Sequence, residues 1–537
     1  MSLANRFTLS LALSGLALLG GCVNNNNGPA PNPQGFTNSN LSGTYVFLAQ
    51  GFDSGSPNGA GPLTIAGALV ADGSGHITGG TMDAVDPLIE IDTNQPITSG
   101  TYFVNSDGRG QAALNTGIGN FTLDFVLTAA SGAVSSHGLV TEFDGNGSGS
   151  GTLDLQTAIA GQGSIAGPYA FTVAGSDNSG NGFASAGAFV LNSGGTMTAG
   201  VEDFNDANVP TLNQSLTGSA LLGSGTGPGT LTLATSFGTL IFDFYPVDAT
   251  HFKVVEIDTN EFLAGDVFSQ TGATIPSGPM AFTMSGGIAF AVGNGGVMTS
   301  DGAGNFSNGL EDSNIDGTVT TQAPFTGLAA AGVFAGGRVV VDLSGFNPAI
   351  QWVIYPSTGG LLLLESDALN TTIGTAYAQT AGATLSTTQG YGLNLGAFNN
   401  QGQYVENDIA EFASASSNYS GAIDISDDDG TGFGISLSPN LAFGVSFTGP
   451  DSTGSGSATT TVSGSSYFSF NYYMVDDSTA LLLETDTNQI GTGVFGLQSS
   501  SGSGVSRRGA WSLARPLGRA KLTKNGKQVK RNQGRFH

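Results

Sequence analysis

Four pairs of carboxylates recur in the chain at a fixed distance from a glycine and a glutamine. They are Glu142 and Asp144, Glu256 and Asp258, Glu365 and Asp367, and Glu484 and Asp486. In each copy the Asp stands twelve positions before a Gln (Gln156, Gln270, Gln379, Gln498), and a Gly (Gly151, Gly265, Gly374, Gly493) stands five before that Gln. Carboxylates at i and i+2 of a strand share a side, and such a pair suits a hard cation, since calcium takes about six to eight oxygens. The segments Glu202-Asp203-Phe204-Asn205 and Glu311-Asp312-Ser313-Asn314 offer more oxygens. Calcium is therefore the one cofactor suggested. The same pair also reads as a solvated strand end in which the Asp shapes a turn. Glycosidases use paired carboxylates too, but theirs flank a sugar from two sides. Neighbours on one strand flank nothing, so an envelope hydrolase is a distant reading.

Other chemistry has little support. The histidines are His76, His137, His251 and His537, and they are read as occupying no common position in two repeats, so no copied catalytic or zinc centre is expected. Nucleophile elbow, phosphate loop and metalloprotease helix motifs do not occur. The repeated Gln residues read as side-chain amides closing a hydrogen bond where first and last strands meet, or as ligand contacts. Arg109 and Arg338 each follow a glycine near a mid-repeat strand. Each is expected to find a carboxylate, and they are the best anion contacts in the body.

The Gln-to-Gln steps of 114, 109 and 119 residues measure a domain-sized repeat. Within it, first strands open at Gly43-Thr44-Tyr45, Gly167-Pro168-Tyr169 and Gly278-Pro279-Met280, and turns such as Asp72-Gly73-Ser74-Gly75 mark hairpins. From Asp72, Asn192 and Asp301, an Asp follows eleven positions on: Asp83, Asp203 and Asp312. Strict alternation, as in Phe121, Leu123, Phe125 and Leu127, predicts one core face and one wet face, with Asp124 and Asp243 on the wet one. The second halves are placed at Gly100, Gly218, Gly327 and Gly421, and Asp451 to Ser466 reads as an extra segment of the fourth repeat. About eight sequential strands per repeat predict an all-β chain of four tandem antiparallel domains, each an eight-stranded up-and-down barrel. A β-sandwich is the main alternative and a propeller a weaker one. The Gly-x-Tyr-x-Phe opening and the meander resemble small calycin-type barrels such as lipocalins or avidins. That resemblance implies a fold and carries over no site.

Charge narrows the partners. Of 14 Lys and Arg, ten lie between Arg507 and Arg535 and one is Arg6, which leaves Arg109, Lys253 and Arg338 against all 40 carboxylates in residues 23–506. A body this acidic repels nucleic acid and anionic surfaces, so glycans, small apolar ligands, cations or surface proteins are the partners to expect. The tail at 500–537 has no acidic residue and reads as a disordered basic extension or an arm for polyanions.

Residues 1–21 read as a secretory leader, with Arg6 before an apolar run from Phe7 to Leu19. The run ends Leu19-Gly20-Gly21-Cys22, which resembles the lipobox of bacterial lipoproteins. By that resemblance Cys22 becomes the lipidated N-terminus, and Val23 after it points to the outer membrane, with the face left open. Cys22 is the single cysteine, so no intrachain disulfide forms. The expected organisation is a tether at 22–40, β repeats at 41–158, 164–273, 275–382 and 384–499, and the tail. The composition and repeats suggest a non-enzymatic, lipid-anchored envelope protein serving adhesion or surface interaction. The alternative is a small-molecule or glycan carrier using hollow barrels.

Overall fold

The alternating sequence forms four eight-stranded antiparallel barrels in the computed structural model, which describes residues 34–499 apart from 54–60, 87–89, 132, 259–260, 288–290, 331–334, 400–403, 416–417 and 429–433, plus the two-residue strands Thr523–Lys524 and Lys527–Gln528. The leader, Cys22, the Asn24–Pro33 stretch and the remainder of the basic tail lie outside the described residues. Strands are counted one to eight within each barrel. Barrel 1 runs from Ser42–Asp53 to Gly147–Leu155, barrel 2 from Gly167–Asp177 to Glu261–Ser269, barrel 3 from Ser277–Gly287 to Thr372–Ala378, and barrel 4 from Gly390–Asn399 to Gln489–Leu497. Each strand pairs with the next, and the eighth pairs with the first. The barrel is thus the unit, in place of a sandwich or propeller. In barrel 2 the fourth strand breaks at Leu216 into Val209–Ser215 and Thr217–Leu221. The first piece pairs with strand three, the second with strand five, and a bridge from Thr196 to Ser219 ties them.

The repeated glycine has a steric cause. Gly151, Gly265, Gly374 and Gly493 lie opposite Ala49, Val173, Met284 and Leu395 of the first strand. A Cβ there would stand 1.7, 2.0, 2.0 and 2.2 Å from a first-strand carbonyl oxygen, so only glycine lets the seam of the barrel close.

The interiors are filled. Phe282, Phe325 and Trp352 meet edge to face in barrel 3 with centroids 5.2 to 6.1 Å apart. Phe412 of barrel 4 touches Tyr391, Phe443, Phe447 and Phe495, and Tyr169, Phe189, Phe244 and Phe252 do the same in barrel 2. Such contacts add about 0.5–1.5 kcal/mol per pair beyond burial. The alternating aromatics of these barrels therefore pack against one another.

The barrels form a closed ring. The first three strands of each pack on strands six to eight of the next, and barrel 4 packs the same way on barrel 1. This is a head-to-tail contact whose rotation closes. The face expected to be wet is therefore dry where barrels meet: Asp124 and Asp243 are buried. It also explains the apolar runs Leu361–Leu364 and Leu481–Leu483, which have a barrel core on one side and a neighbouring barrel on the other.

Three further expectations change. Residues 34–40, assigned to the tether, are docked: Phe36 is buried in the core of barrel 1, and the Gln34 and Phe36 N–H groups donate to Ser106. Gly421 lies in the third strand of barrel 4, Asn418–Asp427, so it matches Gly80, and Asp424 is the fourth copy of Asp83, Asp203 and Asp312. The stretch Asp451 to Ser466 is no insertion, since it carries the fifth strand, Ser455–Val462.

Candidate functional site

The repeated Gln residues latch one barrel to the next. Each backbone N–H donates to the first strand of its own barrel: Gln156 to Thr44, Gln270 to Pro168, Gln379 to Pro279 and Gln498 to Gly390. The side-chain amide then leaves its own barrel. It donates to Pro246 from Gln156 (2.7 Å), to Pro356 from Gln270 (2.9 Å), to Met474 from Gln379 (2.7 Å) and to Leu127 from Gln498 (3.3 Å). These four acceptors occupy one position of strand six, four residues after Phe242, Trp352, Phe470 and Leu123. Gln498 reaches back to barrel 1 and closes the ring, with a second bond of 2.6 Å to Asp107. The amide expected to seal a single barrel instead joins two.

The third-strand Asp works at the same junctions. Asp83, Asp203, Asp312 and Asp424 each sit at a bulge and accept, at 2.6 Å, the N–H of a fourth-strand residue with positive φ: Asn94, Asn213, Gln322 and Asn440. The remaining capacity faces the next barrel. Tyr355 donates to Asp203 at 2.5 Å and Tyr473 to Asp312 at 2.7 Å, while Tyr245 lies against Asp83. In barrel 1 the corresponding residue is Val126, and Arg109 takes over, 3.1 Å from Asp424 and 3.2 Å from Asp107. Arg338 binds Asp203 through two bonds of 2.6 and 2.7 Å.

Lys253 joins barrels 1 and 2. Its ammonium is 2.8 Å from Asp154 and contacts Thr152, both in barrel 1. Against the desolvation of burial, Lys253 and then His137 hold the Asp154 carboxyl below its ordinary value. His137 Nδ1 is 2.7 Å from Asp154, and His251 Nε2 is 2.6 Å from Asp266. Both histidines stand five residues before the Glu of their repeat, so they do share a repeat position, contrary to expectation, and the Glu register already held that signal. All three basic residues of the body are thus buried at junctions, and the arginines are engaged by carboxylates.

The Glu-x-Asp pairs divide their roles. The Asp accepts an N–H at the start of strand six: Thr122 to Asp144 (3.2 Å), Ile241 to Asp258 (3.0 Å), Gln351 to Asp367 (2.7 Å) and Ser469 to Asp486 (2.8 Å). It is a turn residue. The Glu is no solvated strand end. Glu142, Glu256, Glu365 and Glu484 lie opposite the core residues Leu123, Phe242, Trp352 and Phe470, so they point into the barrel at its mouth, the end that carries the loop between strands seven and eight. All four are at most 1% exposed.

Few donors reach these glutamates. Glu365 accepts from Thr372 at 2.5 Å, yet its other oxygen and one oxygen of Glu142 are buried without a hydrogen-bond partner. Glu256 and Glu484 lack partners at both oxygens. Burial, and then the neighbouring Asp144, Asp53 and Asp86, push Glu142 well above the carboxylate range, and burial followed by Glu406 and Asp486 does the same to Glu484. Other interior acids follow: burial raises Glu202 to about 7, with the Ser185 hydroxyl opposing, and raises Glu311 to about 8 with help from Asp312. The segments expected to widen a cation site do not: Asp203 holds Arg338, and Asn205 donates to the carbonyls of Glu365, Asp367 and Asn370 in the next barrel. Asn314 makes the matching bonds to Glu484, Asp486 and Gln489.

The mouths converge on the middle of the ring. Phe52 of barrel 1, Ala291 of barrel 3 and Phe398, Val405 and Ile490 of barrel 4 form one apolar cluster there. Beside it, residues of barrels 1, 2 and 4, among them Gln50, Ser150, Phe262 and Phe398, line a small crevice of about 30 Å³ that opens to solvent.

No described protein family matches the chain, and no curated protein matches it. Among solved structures, one described as AttH of Nitrosomonas europaea is 11% identical, over 45% of this chain and 97% of its own, with a TM-score of 0.18. Intact Ap-TbpB, with N and C lobes, is 10% identical over 68% of this chain and 84% of its own, with a TM-score of 0.15. The vaccine antigen transferrin binding protein B of Haemophilus parasuis is 10% identical over 70% and 85%, with a TM-score of 0.14. Likenesses this distant carry no argument about what this chain binds.

Proposed function

We propose that the chain is a non-enzymatic envelope lipoprotein, anchored through Cys22 in the outer membrane, whose ring of barrels serves adhesion or surface interaction. The observation that carries this reading is the latch made four times by Gln156, Gln270, Gln379 and Gln498. It ties each repeat to the next around the ring and leaves the outer faces around strands four and five to meet a partner. Against a hydrolase, His137 and His251 are buried against Asp154 and Asp266 of their own barrels, and Lys253 is buried against Asp154 across a junction. The aromatic packing inside the barrels weighs against a carrier with hollow barrels, and the crevice between barrels 1, 2 and 4 is the place such a carrier would use.

Both halves of the reading can be tested on cells. Labelled fatty acid is expected to enter the wild type and not Cys22→Ala; equal labelling removes the anchor. The purified chain is expected to bind basic surface proteins or glycans through its outer faces, more weakly as salt rises where the partner is basic. A small ligand that competes at the crevice, with no surface binding, would favour the carrier.

A further inference from the structure

The junctions use all three basic residues of the body, Arg109, Lys253 and Arg338, so none of them serves the acids at the mouth of barrel 2. Strand seven, His251–Glu256, delivers Glu256 to the interior, and strand eight opens with Glu261, whose cross-strand partner is Asp177. Glu256, Asp258 and Glu261 each place an oxygen within 4.8 Å of the other two. Glu256 is fully buried, and neither of its oxygens has a hydrogen-bond partner. Lys253 offers no relief. It sits an odd number of residues before Glu256 on the same strand, so it faces out of the barrel toward Asp154. A buried carboxylate with no donor is among the costliest groups a fold can hold, and two more carboxylates aimed at the same point make it costlier.

Position 261 sets this mouth apart. Counting from the repeated glycine, the other barrels carry Gly147, Asn370 and Gln489 there. In barrel 4 the Gln489 amide reaches Glu406, and in barrel 3 Thr372 donates to Glu365. Barrel 2 replaces such a neutral or donating group with a third acid.

We propose that Glu256, Asp258 and Glu261 at the mouth of barrel 2 form a binding site for a divalent hard cation of the calcium class. Three carboxylates supply up to six oxygens, and water completes the shell of an ion that takes about six to eight. The bond from the Ile241 N–H to Asp258 Oδ2 orients that carboxylate at the mouth. The proposal goes beyond surface interaction and stands or falls separately from it.

The test uses the full chain in detergent, stripped with chelator and then melted with chelator or with about 5 mM calcium, a level above the ~10⁻⁴–10⁻³ M constants of extracellular sites. Calcium is expected to raise Tm by several degrees in the wild type and to leave Glu256→Gln nearly unmoved. Equilibrium dialysis with radioactive calcium should show one ion fewer per chain in that variant. Asp342→Asn, a surface acid outside the mouth, should keep both the shift and the ion. No shift in the wild type, or equal shift and stoichiometry in Glu256→Gln, overturns the site. Should Glu256→Gln fail to fold, Glu261→Gln takes its place and must lose the same ion.

Discussion

Carboxylates at the junctions and carboxylates in the mouths come from one acidic sequence but meet opposite surroundings. At the junctions four buried acids have a donor from the neighbouring barrel: Arg338 and Tyr355 for Asp203, Arg109 for Asp424, Tyr473 for Asp312, Lys253 for Asp154. In the mouths the glutamates look inward at other acids and aromatic rings. A donor held in common by two barrels ties them together, whereas an acid without one must hold a proton or a cation. Ring closure is one answer to this excess of carboxylate, and the cation site proposed at the mouth of barrel 2 would be a second.

Removing a donor from a junction tests the first answer. Arg109→Ala is expected to be the most damaging change, about 4–5 kcal/mol, because Asp424 and Asp107 both lose their cation and Val126 offers no hydroxyl in place of the missing Tyr. Arg338→Ala should cost less, about 3 kcal/mol, since Tyr355 still donates to Asp203. Denaturant midpoints measure both. Equal costs would show that the tyrosine contributes nothing at the junction.

The mouths should respond to pH in the opposite sense from an ion-paired acid. Glu311 is raised to about 8 and Glu202 to about 7, chiefly by burial. Above the ordinary carboxylate pKa of about 4.3 the unfolded chain releases these protons while the folded chain keeps them, so stability is full below that value and falls as pH rises toward 7–8. Chelated protein is expected to melt several degrees higher at pH 5 than at pH 8, and Glu311→Gln should flatten part of that slope. A slope unchanged in Glu311→Gln would mean that other groups set it.

The smallest effects belong to the latches. Alanine at Gln156, Gln270, Gln379 or Gln498 leaves one or two carbonyls of the next barrel unpaired and should cost about 1–2 kcal/mol each. The cost at Gln498 should match the others, because the ring-closing junction uses the same geometry. A null effect at Gln498 alone would detach barrel 4 from barrel 1.

Much of this was legible in the chain. Alternating strands, the count of eight and the fixed glycine read directly, because barrel closure constrains one residue at a time. The ring was hidden because its surfaces come from strands distant in sequence, and a repeat register looks the same whether a residue seals its own barrel or the next. Gln156 illustrates this, since its spacing was plain and its target was not. Two signals were present and unused. The runs Leu361–Leu364 and Leu481–Leu483 break the alternation of a strand with one wet face, and His137 and His251 share an offset from Glu. The inward aim of Glu256 needed the register against Phe242, which spacing alone does not supply.

Small-angle scattering of the chain tests ring closure most directly. A compact body of this length has a radius of gyration of about 23 Å, whereas four barrels in line, each with a radius of about 13 Å, give more than about 30 Å. The closed ring predicts a value near 23–25 Å once the tether and tail are allowed for. A value above about 30 Å would mean that the barrels hang as separate beads.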